Sequence, residues 1–322
     1  MQHLFLALAL LLPVEHDFVV RDFHFKSGET LAEVRIHYVT LGDPAGKPVL
    51  ILHGTGGSSK QFLNDHFADV LFKEGGALDA RTHFIVIPDN VGHGQSSKPS
   101  DGLRGRFPHY DYDDMVELQH RLLVDGLHLH RVHLVMGTSM GGMQTWMWGE
   151  HWPTFMDALL PLASAPAQIA GRNRVWRKMA IDDLKRGDVA GAVQLLMIAT
   201  SSPLQWQKSG PTRDDADRWL AEQMKSRLAN TDADDLLYAL EASRNYDPAP
   251  ELENIAAPLI AINSADDFVN PPELGILERA IQRVKRGRYV LIPTSEATRG
   301  HGTHTWAALW QQYVRELDTP PR

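Results

Sequence analysis

The 322-residue chain contains no cysteine. Disulfide cross-links, thiolate nucleophiles and cysteine-ligated zinc are therefore excluded. The fold must rest on its apolar core, which a 43% hydrophobic composition can supply. Basic clusters are scarce as well. Net charge is −8, and the densest cationic group (Arg172, Arg174, Arg177 and Lys178) is interrupted by Val175 and Trp176, as on a solvated helix face. Nucleic acid, which needs a basic surface, is not an expected partner. Long hydrophobic runs are missing too. The unbroken run Leu4–Leu12 is too short for a transmembrane helix but has the size of an export-signal h-region. No Lys or Arg precedes it and no A-x-A site follows. Residues 1–16 are thus read as a signal peptide of a periplasmic or secreted protein, or as an N-terminal extension of a cytoplasmic one.

What is present is a strand–helix rhythm. Strands are expected at Phe18–Phe25, Glu33–Thr40, Val49–His53, His83–Pro88, Arg131–Met136, Ala158–Leu162, Leu259–Asn263 and Arg288–Ile292. The first two are joined by a hairpin turn at Lys26-Ser27-Gly28-Glu29. From Val49 onward the strands are short and continuously apolar, as in a parallel sheet covered on both faces. Helices are expected at Asp111–Leu127, Met140–His151, Pro271–Val284 and Thr305–Leu317. Residues 166–257 carry only helical patterns: Arg172–Arg186, Val189–Ala199, Arg213–Ala229 and Asp232–Ser243. The reading is a three-layer α/β core from 17–165 and 258–322, with a helical cap inserted over the C-terminal edge of the sheet. Trp176, Trp206, Trp219 and Tyr238 serve mainly as the insert's own core.

The apolar run before Gly137-Thr138-Ser139-Met140-Gly141 ends abruptly where a helix begins. A G-x-S-x-G between a buried strand and a helix is a nucleophile elbow, which holds the serine strained with Oγ exposed. A serine hydroxyl needs a base, and the base needs a third group to fix its tautomer. In α/β folds the acid and then the histidine follow the serine in the chain. Asp267, leaving the strand at Leu259–Asn263, is chosen as the acid, with Asp266 as fallback. His301, between Gly300 and Gly302, is the base. His304 is a weaker candidate, and no metal site is read from His301 and His304, which lack a third ligand at a recognisable spacing. His120, His128, His130 and His133 are read as surface or satisfied core residues. The backbone N–H groups of Thr55, in the loop His53–Gly57, and Met140 are expected to form the oxyanion hole. The turn Asp89–Ser96 is read as flexible and as shaping the mouth of the site.

These residues make the chain similar to the α/β-hydrolases, and it resembles their homoserine O-acetyltransferase branch. The resemblance rests on Phe107-Pro108, Asp113-Asp114-Met115-Val116 with Gln119, Gly137–Gln144, Asp267 with Pro271-Pro272-Glu273, and Gly300-His301. It implies an eight-stranded, mostly parallel sheet, a helical cap, dimerisation through that cap, and acyl transfer from acetyl-CoA by a ping-pong serine mechanism. Two positions depart from it. In the branch an Asp that binds the homoserine amine follows the catalytic His, and here Gly302 stands there. A cap Arg binds the homoserine carboxylate, and here the nearest stretch, Leu195–Met197, has none. The expected activity is serine-dependent hydrolysis of a small carboxylic ester without a cofactor. O-acyl transfer from acetyl-CoA to an alcohol is the alternative.

Overall fold

The computed structural model describes residues 12–318. Eight strands form one sheet: β1 (Val14–His24), β2 (Thr30–Gly42), β3 (Lys47–Leu52), β4 (His83–Pro88), β5 (Val132–Thr138), β6 (Met156–Leu162), β7 (Leu259–Ser264) and β8 (Gly287–Ile292). Their spatial order is β1-β2-β4-β3-β5-β6-β7-β8. β1 and β2 run antiparallel to their neighbours, and the other ladders are parallel. The fold is that of an α/β-hydrolase.

Pattern explains position. β4 and β7 are buried at every residue, because helices cover both faces and leave no side for polar alternation. One face packs Leu50, Leu52, Val86 and Val135 against the helices Tyr112–Arg121 and Met140–His151. The other packs Val49, Ile51, Ile85 and Met136 against Phe62, Phe67 and Trp310. The helix Tyr112–Arg121 starts at Asp111, whose side chain accepts from the Asp114 amide while Asp114 accepts from the Asp111 amide. This reciprocal cap satisfies two orphan donors. Asp114 also accepts from the Lys26 amide at 2.9 Å, which ties the β1–β2 hairpin to the helix.

Several boundaries differ from expectation. β1 starts at Val14, where Val14 already pairs with Thr40, so residues 14–16 belong to the sheet. The Leu4–Leu11 part of the apolar run lies outside the described residues. The expected helix Pro271–Val284 is broken into Pro272–Leu274, Ile276–Ala280 and Ile281–Arg283, with left-handed Gly275 at the break. The expected Thr305–Leu317 becomes two short 3-10 turns and the helix Gln311–Asp318.

The segment between β6 and β7 is helical: Gly171–Lys185, Val189–Ala199, Pro203–Ser209, Arg213–Ala229 and Ala233–Glu241. Pro203–Ser209 was not expected; Pro203 stands in its first turn, where its missing N–H costs nothing. These helices share their own cluster of Ile181, Leu184, Val193, Met197 and Leu240 with half-buried Trp176, Trp206 and Trp219. Tyr238 instead packs in the main core and donates to the Phe107 carbonyl at 2.8 Å. The segment is anchored to loops at the C-terminal ends of the strands. Ser100 donates to Asp235 through its amide and hydroxyl (2.8 and 2.6 Å), and Gln205 donates to the Thr298 carbonyl at 2.8 Å. Among the described residues no helix is long and apolar enough to cross a membrane.

Glu150, on the buried helix Met140–His151, gives a stability test. Burial pushes its carboxyl up to about 8, with help from Glu251, Asp113 and Asp247. The folded chain therefore keeps a proton that an unfolded carboxyl, with an ordinary value of 4.5, has already lost. Stability should fall as pH rises from that value towards about 8. Glu150→Gln is expected to melt higher than wild type at pH 8 to 9, with the gap closing below pH 5. A gap independent of pH, in melting curves across that range, contradicts this.

Candidate active site

Ser139 sits between the end of β5 and the helix Met140–His151, with φ 55° and ψ −112°. A non-glycine residue at positive φ costs about 1–3 kcal/mol and survives only where its surroundings over-determine it. They do here. The Ser139 amide donates to the Leu162 carbonyl on β6 at 2.9 Å, and its carbonyl accepts from Met143 at 2.9 Å. A Cβ on Gly141 would lie 2.1 Å from the Leu52 carbonyl oxygen of β3, so only glycine lets the helix start this close to the sheet.

The side chains expected to act together do meet. His301 Nε2 lies 2.8 Å from Ser139 Oγ, and His301 Nδ1 lies 2.9 and 3.0 Å from the two Asp267 oxygens. An ionised carboxylate only accepts, so the ring carries its proton on Nδ1 and turns the lone pair of Nε2 to the hydroxyl. Asp267 is buried. Burial pushes its carboxyl up, but electrostatic attraction to the His301 ring and hydrogen bonds from His301, the Asn270 side chain and the Val269 amide outweigh that and hold it below the usual range.

Asp266 faces the other way. It accepts from Thr298 Oγ1 and the Gly300 amide, both at 2.9 Å, and from the Ser264 hydroxyl. Its contacts thus fix the loop that carries His301. Gly300 has φ 59°, and a Cβ there would lie 2.2 Å from the Ser201 carbonyl oxygen. At Gly302 the nearest atom is Arg299 Cβ at 3.6 Å; of the two flanking glycines only Gly300 is demanded. His304 is half-buried, its ring 5.2 Å from that of His301, and desolvation with the repulsion of a second imidazole lowers its pKa to about 3.

The loop His53–Gly57 lies against the serine, since a Cβ on Gly54 would be 3.4 Å from Ser139 Cβ. His53 Nε2 accepts from the Asn90 amide at 3.0 Å, and the Gly54 amide donates to Gln61 Oε1, whose own amide donates to Thr138 Oγ1 at 2.9 Å. The Ser139 amide is taken by the Leu162 carbonyl, which leaves the N–H groups of Thr55, next to Gly54 in this loop, and of Met140, next in the chain to the serine, as the candidate donors to an oxyanion. The Met140 amide is in a first helical turn and has no intrahelical acceptor. Behind the serine helix a buried network links Asn90, Gln119, Gln144 and Trp148. Gln119 and Gln144 figured in the sequence resemblance, but nothing in their spacing showed that they touch.

The turn after β4 is held, not flexible. Asp89 accepts from the amides of Ser59 at 2.6 Å and Gln95 at 2.8 Å. It does line a cleft of about 560 Å³ with Gly56, Gly57 and the cap residues Asp232 and Asp235. A second, apolar pocket is lined by Met143, Ala165, Ile169, Asn173, Val269 and Leu277, beside the loop that follows Asp267.

Sequence reasoning gave no role to one cap residue, Arg177. Its guanidinium is buried, donates through Nε to Asn173 Oδ1 at 2.9 Å and lies over the Trp176 ring. Nη1 has no partner among the described residues, and neither do the buried hydroxyls of Thr55 and Tyr112. Burial raises the Tyr112 pKa, and Arg177 and the neighbouring hydroxyls of Thr55 and Ser243 oppose it. Thr55, Tyr112 and Arg177 therefore form a polar cluster running from beside Ser139 into the cap.

Gly300→Ala is expected to lower both activity and melting temperature, because left-handed φ and the carbonyl contact together cost about 1–3 kcal/mol. Gly302→Ala should leave both close to wild type. Equal losses in the two variants, in ester-hydrolysis rates and melting curves, contradict this account of the loop.

The α/β hydrolase fold family model matches residues 47–298. The chain is 27% identical over 292 residues to a probable acyltransferase of Methanothermobacter thermautotrophicus, covering 85% of this chain and 89% of the relative. It is 29% identical over 288 residues to homoserine O-acetyltransferase of Pasteurella multocida, covering 77% and 80%. Among solved structures it superposes on esterase E22 with a TM-score of 0.84 at 18% identity, covering 96% of this chain and 100% of the esterase. Backbone order, site geometry and these similarities agree: the chain is an enzyme of the α/β-hydrolase fold family and resembles its homoserine O-acetyltransferase branch.

Proposed function

We propose that this protein is a serine ester hydrolase working through an acyl-enzyme. The observation that carries the reading is the continuous Ser139–His301–Asp267 relay at 2.8 and 2.9 Å. His301 Nε2 takes the Ser139 proton as Oγ attacks the ester carbonyl, and Asp267 stabilises the imidazolium. The amides of Thr55 and Met140 receive the developing oxyanion. His301 then gives its proton to the leaving alcohol. Water, deprotonated by His301, attacks the acyl-enzyme and releases the acid and the serine.

Transfer to an alcohol acceptor uses the same acyl-enzyme, and the acyltransferase names of the relatives favour it. Hydrolysis is preferred because the carboxylate that would hold the homoserine amine is missing and no Arg stands at the expected place in the cap. Gly302 has no carboxylate, Met197 is buried in the cap's own core, and Leu195 packs against that core. An amino-acid acceptor would forgo the charge-assisted hydrogen bonds of its amine, about 1.5–3 kcal/mol each, even with a guanidinium elsewhere in the cap to receive its carboxylate.

Arg177 narrows the substrate. A buried guanidinium without a carboxylate partner, beside two unpartnered hydroxyls, favours an ester whose acyl or alcohol part carries a negative charge. The outer cap face exposes Val175, Met179 and Ile198, and we propose it as the surface of a homodimer.

Ser139→Ala should abolish aryl-ester hydrolysis without lowering the melting temperature, and Asp267→Asn should cost about 10³–10⁴-fold in kcat. Asp266→Asn, acting through the loop alone, should cost far less; the reverse order would overturn the assignment. For Arg177, an aryl hemisuccinate should outperform the aryl butyrate in wild type, and Arg177→Met should abolish that preference. If the variant keeps the preference, the anionic-substrate reading fails while the relay stands.

A further inference from the structure

Far from the relay, three side chains distant in sequence converge at the N-terminal end of the sheet: His83 opening β4, His133 near the start of β5, and Asp318 ending the last helix. His133 Nε2 lies 2.8 Å and His83 Nε2 3.9 Å from the same Asp318 oxygen. One ligand atom from each residue falls within 4.8 Å of the others. Along β5, His133 and Ser139 are six residues apart, about 20 Å at strand rise.

Hydrogen bonding settles which ring nitrogens are engaged elsewhere. His83 Nδ1 lies 3.1 Å from both the Asp79 carbonyl and Thr82 Oγ1; the hydroxyl gives its own proton to that carbonyl, so both neighbours accept from the ring and its proton sits on Nδ1. His133 Nδ1 lies 3.3 Å from Asp157 Oδ2, another pure acceptor. Both rings thus turn Nε2 towards Asp318. His83 is buried, and its Nε2 has no hydrogen-bond partner among the described residues. Two imidazole lone pairs facing a carboxylate call for positive charge among them, and the Lys47 ammonium on the Asp318 oxygen supplies it from one side only.

We propose that His83, His133 and Asp318 form a binding site for a divalent transition-metal ion of the zinc class. The donor set of two imidazoles and one carboxylate is one that Zn²⁺ accepts in a tetrahedral site completed by water. Bonds of about 2.0–2.2 Å place neighbouring tetrahedral ligands roughly 3.3–3.6 Å apart, between the two separations observed. Each imidazole already has the outer partner that orients a metal-binding histidine: Asp157 for His133 and the Asp79 carbonyl for His83. Asp318 also ends a helix, where the dipole favours a cation. Lys47 Nζ competes, at 2.5 Å from the same Asp318 oxygen, and must give up that oxygen when the ion binds.

The test uses the full chain, stripped with a chelator and titrated with ZnCl₂ by calorimetry and with Co²⁺ by visible absorption. The wild type should take up one equivalent, show the d–d bands of a tetrahedral nitrogen–oxygen site, and melt higher with zinc. His133→Ala and Asp318→Asn, both at partly exposed positions, should each weaken binding by more than about 10-fold. Lys47→Met should tighten it, and His301→Ala, at the relay, should leave it unchanged. No stoichiometric uptake by the wild type, or equal binding by His133→Ala and Asp318→Asn, overturns the site. Loss of binding in His301→Ala alone would also overturn it, by placing the ion at the serine.

Discussion

The site depends on a single backbone constraint, the left-handed turn at Ser139. Its strain is opposed by contacts from both neighbouring strands. The Leu162 carbonyl of β6 holds the serine amide, and the Leu52 carbonyl of β3 abuts Gly141. Because β5 is a central strand, these contacts come from the most deeply buried part of the molecule. The turn therefore presents the hydroxyl in one orientation, and the histidine loop has to be brought to it.

Two adjacent carboxylates do that work by dividing it. Asp267 points inward and is ionised despite burial, because hydrogen bonds and the imidazole compensate the lost hydration. Asp266 points back along its own loop and clamps Thr298 and Gly300. The one thus sets the tautomer of His301, while the other sets where His301 is. The cap adds a charge of the opposite sign. Arg177 is buried beside Tyr112 and Thr55 without a carboxylate, an arrangement that is unfavourable in isolation and that an anionic group would relieve.

Much of this was legible in the residues. Strands buried on both faces read as continuous apolar runs, so β4 was placed to the residue and the other parallel strands to within two. Ser139 and Asp267 were legible because each follows such a run, and His301 because its loop follows the last strand, which is itself only half-buried. The misses have local causes. The extension of β1 over Val14–Asp17 is mostly exposed and carries no core pattern. The helix after β7 reads as continuous until left-handed Gly275 interrupts it. Nothing in the sequence distinguishes Gly300 from Gly302, since the difference is the nearness of the Ser201 carbonyl. Arg177 looked like part of a solvated face because its neighbours Arg174 and Lys178 are charged. His133 read as an ordinary histidine, since His83 and Asp318 reach it only through sheet order and the packing of the last helix.

The central claim is that Ser139 becomes covalently acylated during turnover. Acid-quenching the enzyme with a slowly deacylating ester, followed by peptide mass spectrometry, tests it most directly. The account predicts one acyl group, on the Ser139 hydroxyl. An unmodified serine during steady turnover, or an acyl group found only on another residue, would contradict it.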